Sequence, residues 1–337
     1  AFLMKVVIKR TGNLNKKGKD KANMKKRGFD LDAKRILLYI GITFVITYVQ
    51  EITVIAKLLK SNDIAMAAVG NLLVATVMFI PAIGVVLTRL ITKEGFKNAW
   101  IRPNLKGNLK YYLIAWFGPV VLTVIGAVVY FLINPNNLSF NFEYLASVYE
   151  QTGVSIEGEQ LRVTMGIQIV VGIFLSPIVN ALTCFGEEWG WRGYLLPKLL
   201  ERFKVLPTLL ISGLIWGLWH APLTALGHNY GLEYLGHPYL GILAMCIFCT
   251  VLGTIFSYLS WKTKSCIPAV IGHGSLNGFA SIAIYFTKDG GNPFVGPLPT
   301  GFIGGIGFIV TAIIMAVLLI REEKRDMGAQ NEQTAIV

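Results

Sequence analysis

Apolar runs of roughly twenty residues recur along the chain between short polar or basic stretches, each long enough to cross a hydrocarbon core about 30 Å thick as a helix. Barrel strands would instead need short segments in which apolar and polar positions alternate, and these are absent. The pattern predicts spans over 36–56, 64–88, 111–133, 163 into 187–192, 206–225, 239–261, 266–286 and 301–320. The chain therefore reads as an all-α polytopic membrane protein with about eight transmembrane helices. Residues 1–34 read as a basic tail, 35–320 as one multi-helix membrane domain and 321–337 as a polar C-terminal tail. The longest polar interruption, 134–162, opens on Asn134-Pro135-Asn136-Asn137. No internal repeat of the kind that builds inverted-topology transporters is visible.

Composition agrees: of 337 residues, 54% are hydrophobic and only 15% charged, where a soluble chain carries about a quarter. Much of the net charge of +12 sits in the stretch from Lys5 to Arg35. Such a tail beside a membrane helix reads as an anchor drawn to anionic lipid, not as a nucleic-acid surface. The basic stretch is too long for the start of a cleavable leader. Lysine and arginine also crowd 89–110, 192–204, 262–264 and 321–325, while the alternate loops hold few. By the positive-inside rule both termini are expected to be cytoplasmic. Cys184, Cys246, Cys249 and Cys266 lie in or beside apolar helices, with no disulfide framework and only half a metal knuckle at Cys246 and Cys249.

Chemistry concentrates in Gly186-Glu187-Glu188-Trp189-Gly190-Trp191-Arg192. Charged residues at bilayer depth are costly and point to function. Three polar pairs stand four apart on three predicted helices: Glu188 and Arg192, Trp216 and His220, His273 and Asn277. That spacing puts each pair on one helix face, so three helices can aim six groups at one point. Adjacent Glu187 and Glu188 diverge by about 100°, so they take different jobs. Glu188 and Arg192 are expected to form a buried ion pair, leaving Glu187 in a wet cavity as a general base on water.

At 1.5 Å per residue, Glu187 and His220 would lie about 20 Å apart in depth unless the fourth helix runs on to about residue 200, which the shared chemistry requires. His228 and His237 read as ordinary loop residues, and Trp189 and Trp191 as an interfacial belt. His-Glu-x-x-His and Gly-x-Ser-x-Gly are both missing, as is a Gly-Asp pair. A proton- or ion-coupled transporter using the same carboxylates, or a non-catalytic immunity or scaffold protein, is the alternative.

Glu187-Glu188-x-x-x-Arg192, Trp216-x-x-x-His220 and His273-x-x-x-Asn277, in that order, resemble the CAAX protease and bacteriocin-processing family of intramembrane endopeptidases. The likeness covers about 64–285, with Trp216 standing where that family more often has Phe. It implies that Glu187 activates the attacking water and that His220 helps hold that water or a metal. His273 and Asn277 would stabilise the oxyanion, and Glu188 with Arg192 would hold the architecture or help position substrate. Glu187, His220 and His273 would supply three ligands if a catalytic Zn2+ is used, and a metal-free mechanism fits the same residues. The implied substrate is a membrane-associated or lipid-modified peptide or protein, and the implied location a bacterial cell membrane.

Overall fold

The computed structural model describes residues 31–335, so all of the basic tail before Leu31 lies outside the described residues. Helix α1 runs Leu31–Leu59, with a π-helical turn over Glu51–Ile55. Its Tyr39, Thr43, Thr47 and Glu51 recur every four residues and are fully buried, while Leu37, Val45 and Val49 face outward. That stripe fixes which face of α1 meets the bundle.

Helices α2 (Ile64–Val77) and α3 (Ile80–Ile91) replace the single second span expected from the sequence, meeting at a 44° bend. Asp63 caps α2 by accepting from the Ala65 N–H at 2.8 Å, and Pro81 starts α3. Helix α4 is Leu109–Ile133, interrupted by Pro119, whose carbonyl accepts from the Thr123 hydroxyl at 2.8 Å. A short α5 (Glu143–Gln151) lies inside the expected polar interruption.

Helix α6 covers Glu159–Val179. Helix α7 continues it as Ala181–Glu188, a π-helical segment Trp189–Leu195, and Leu196–Leu200. The two glutamates are thereby carried well inside the bundle, as the depth argument required. Then follow α8 (Val205–Trp219), the short α9 (Ala221–Ala225), α10 (Tyr239–Thr263), α11 (Ile267–Phe279) with a 3-10 turn at Ile282–Phe286, and α12 (Ile306–Ala335).

The architecture is all-helical, with no named strand among the described residues. Among the described residues, five helices are long and apolar enough to span a membrane, and α2 with α3 makes a sixth as a bent pair. Helix α10 and the Ile267–Phe286 span bury 56% and 61% of their apolar stretches, against 17–28% for α1, α4 and α6. The former pair therefore forms the interior and the latter helices the outer wall. Helix α10 packs on α8 and α12, and α11 on α4 and the 176–188 region.

The loops sort into two ends. At one, Cys266 N–H donates to the Trp100 carbonyl at 2.7 Å, Asn104 to the Thr263 carbonyl at 3.0 Å, and Glu323 accepts from Val205 N–H at 2.9 Å. At the other, Ser139 N–H donates to the Phe286 carbonyl at 2.8 Å and Asn137 to Asp289 at 3.0 Å. The loops rich in lysine and arginine thus share one end of the molecule.

Candidate active site

Adjacent glutamates on α7 diverge as helix geometry requires. Glu188 is fully buried and its Oε1 accepts from Arg192 Nη1 at 3.0 Å and from His273 Nδ1 at 2.9 Å. The expected ion pair is present, with a third member the spacing argument did not join to it. Glu187, 2% exposed, turns the other way: its Oε2 accepts from the Trp216 indole N–H at 2.8 Å. Glu187 also lines the cavity described below. The π-helical segment begins at Trp189, directly after the two carboxylates; such turns recur at functional sites.

Trp216 connects the two halves. Its edge donates to Glu187 while the Arg192 guanidinium lies over its face, 4.1 Å from the ring centroid. Phe256 takes the same cation at 5.4 Å, so the charge is shared among a carboxylate and two aromatic faces. A phenylalanine could supply the ring but not the N–H. Trp216 is thus more than the aromatic wall its place in the motif suggested.

His220 caps the end of α8, and its Nδ1 donates to the Trp216 carbonyl at 2.9 Å. A carbonyl only accepts, so neutral His220 keeps its lone pair on Nε2. His273 commits Nδ1 to Glu188 in the same way. Asn277, one turn on from His273, opens into the cavity, and its amide also reaches Cys184 Sγ at 3.7 Å.

Glu187, His220, His273 and Asn277 line one cavity of about 390 Å³. All six residues singled out from the sequence are brought together, four on the cavity and Glu188 with Arg192 behind it. Gly186 places the pair there: a Cβ at this position would strike the Met78 carbonyl, and would stand 2.8 Å from the Phe79 Cα. The α2–α3 bend therefore packs directly on the turn that carries Glu187.

Some expectations are corrected. Trp191 is not an interfacial belt residue: it is fully buried, with its ring edge-on to Tyr39 at 5.8 Å and Trp219 at 5.7 Å. Its two neighbouring helices need that bulk. His228 is not an ordinary loop residue; it lines the cavity, as do Asn229 and Asn71. Desolvation at the cavity edge lowers its pKa below the usual histidine range. Its place in a Gly-containing loop hid this, and only the unusual scarcity of histidine in the chain hinted at it. Glu51, fully buried in the π-helical turn of α1, is a further carboxyl inside the bundle that the paired-spacing argument left aside.

The two imidazoles, each with Nδ1 tied down, have the chemistry of zinc-ligating histidines. Among the described residues, however, no three His, Cys, Asp or Glu side chains are gathered closely enough to hold a metal ion.

Residues 167–279 match the family model described as type II CAAX prenyl endopeptidase Rce1-like, and all six site residues fall within that range. The chain is 32% identical over 92 residues to CAAX prenyl protease 2 of Methanococcus maripaludis, covering 27% of this chain and 34% of that protein. It is 27% identical over 153 residues to lysostaphin resistance protein A of Staphylococcus haemolyticus, covering 44% and 39% respectively. With the Staphylococcus epidermidis protein of the same name it shares 24% over 252 residues, covering 74% and 56%. The chain thus spans between about one third and just over half the length of these curated relatives.

Proposed function

Taking as premise that the chain belongs to the CAAX protease and bacteriocin-processing family, we propose that it is an intramembrane endopeptidase whose Glu187 activates water. The observation that carries this is the division of labour between neighbours. Glu188 is saturated by Arg192 and His273, whereas Glu187 keeps one oxygen fixed by Trp216 and lines the cavity.

In the reaction, Glu187 takes a proton from a water that His220 Nε2 helps hold. The resulting hydroxide adds to the scissile carbonyl. Asn277, and His273 when it carries its second proton, donate to the oxyanion that forms. Glu187 then passes the proton to the amide nitrogen, the C–N bond breaks, and the acid product gives its proton to the departing amine, so that a carboxylate and an ammonium leave.

The substrate class is a peptide or protein at the membrane, lipid-modified or membrane-anchored. Counting α8 and the apolar first half of α12 as crossings gives the eight-span arrangement, in a bacterial cell membrane with both termini cytoplasmic. The basic tail then lies against anionic lipid.

The test is cleavage of a peptide library by purified protein, read by mass spectrometry, beside Glu187→Ala and His220→Ala. Both variants are expected to lose cleavage. Equal cleavage by both would end the protease reading, and substrate-driven ion flux in proteoliposomes would favour a transporter. Dialysis against a chelator, with metal content measured before and after, decides whether a bound ion is needed.

A further inference from the structure

The cavity has two kinds of wall. Around Glu187 it is mostly aromatic and aliphatic, but its lining also includes the polar residues Asn71, His228, Asn229 and Ser281, with the Thr300 hydroxyl buried behind them. These come from four separate parts of the chain: α2, the loop after α9, the turn after α11, and the segment before α12. None is a carboxylate, a lysine or an arginine.

His228 is presented, not incidental. It sits between Gly227 at φ +98° and Asn229 at φ +68°, two left-handed residues that fold the loop back. Its own N–H is held by the Leu223 carbonyl at 3.0 Å. Behind it Tyr230 is buried and stacks on Phe294 at 4.9 Å, tying this loop to the 287–305 segment. The backbone is thus fixed, while the imidazole makes no hydrogen bond or ring contact among the described residues and is exposed to the cavity.

An intact helix satisfies its own backbone groups and would present only side chains to this polar lining. An unwound peptide instead carries N–H and C=O groups that need partners once they leave water. Histidine, asparagine, serine and threonine side chains offer both donors and acceptors. We infer that His228 and Asn229, with Asn71 from α2, hold the main chain of an unwound peptide segment beside Glu187, so that the site takes extended segments in preference to intact apolar helices. This rests on the endopeptidase reading. Recognition is of the main chain, because none of these side chains is a carboxylate, a lysine or an arginine.

The experiment measures binding, so it does not depend on turnover. Full-length protein carrying Glu187→Gln is titrated with a short fluorescent peptide from the cleavage library, in detergent, by anisotropy. His228→Ala is expected to weaken binding about tenfold, the worth of one hydrogen bond. His228→Gln, which restores a donor and an acceptor, should stay within about threefold. Leu235→Ala, 95% exposed on the same loop, should leave binding unchanged. N-methylating the peptide's backbone amides should weaken its binding to the parent and much less to the His228→Ala variant. Equal binding by His228→Ala and its parent overturns the proposal. So does tight binding of a peptide stapled as a helix, or no binding of any peptide. Binding that depends on His228 together with cleavage that does not need Glu187 would sink the proposed mechanism and leave the polar lining's role standing.

Discussion

Two clusters of charge hold this molecule together, and they are built on opposite plans. At the basic end, Glu94 accepts from Lys198 at 2.6 Å and from the Tyr194 hydroxyl at 2.9 Å, with Arg35 at 3.5 Å and Arg89 at 4.0 Å. Lys198 also reaches Asp32 at 3.6 Å. These side chains keep partial access to water, with exposures of 3–24%. Within the bundle, Glu188 and Arg192 are 0% and 1% exposed, and each depends on few, directed partners. Redundant partners near water make the first cluster tolerant of loss. Dependence without water makes the second intolerant, and that intolerance fixes the neighbouring Glu187 in place.

The comparison breaks most visibly at Arg192. Arg192→Leu strands Glu188 in the bundle and is expected to cost about 3–5 kcal/mol, seen as a large fall in the detergent melting temperature. An unchanged melt would mean the pair is not the keystone proposed. Next comes Trp216→Phe, which keeps the ring under Arg192 and deletes the N–H to Glu187. Losing one hydrogen bond to a charged group is worth about 1.5–3 kcal/mol, so kcat/KM should fall about ten- to hundredfold with little change in melting. A fall in stability without a fall in activity would assign the indole a packing role instead.

At the basic end, Glu94→Gln should cost only about 1 kcal/mol, because Lys198 keeps Asp32. A loss as large as that of Arg192→Leu would erase the contrast. The smallest effect is expected at Asp289, an exposed residue of the opposite end. Its carboxyl accepts from the Gly291 N–H at 2.8 Å and from Asn137 at 3.0 Å, and these bonds hold its pKa below the usual value. A depressed folded pKa contributes stability above the unfolded value of about 3.9, lost as pH falls through the folded one. Asp289→Ala should therefore cost less than about 1 kcal/mol at pH 7, with the gap to the parent narrowing below about pH 4. A constant gap across that range would exclude the carboxylate as its cause.

The chemistry was legible in the sequence where it obeyed helical spacing. Glu188 and Arg192, Trp216 and His220, and His273 and Asn277 each needed only the four-residue rule and an apolar background to stand out. Contacts between helices were not legible, because no periodicity reports which atom meets which. The His273–Glu188 bond spans 85 positions and the Trp216–Glu187 bond 29. The bend between Val77 and Ile80 is invisible in the sequence because continuous apolarity looks the same in one straight helix and two bent ones. Tryptophan suits both an interface and a packed core, so for Trp191 only its neighbours Tyr39 and Trp219 decide. A loop residue such as His228 gains its place from where the fold returns it, which no local pattern reports.

The central claim is that Glu187, rather than its neighbour, is the base. It is tested by single-turnover cleavage of a library peptide with purified Glu187→Gln, a change that preserves shape and leaves an oxygen for the Trp216 N–H. The predicted result is a loss of about 10²- to 10⁴-fold in rate with an unchanged melting temperature. Cleavage at the parent rate by this variant would contradict the account.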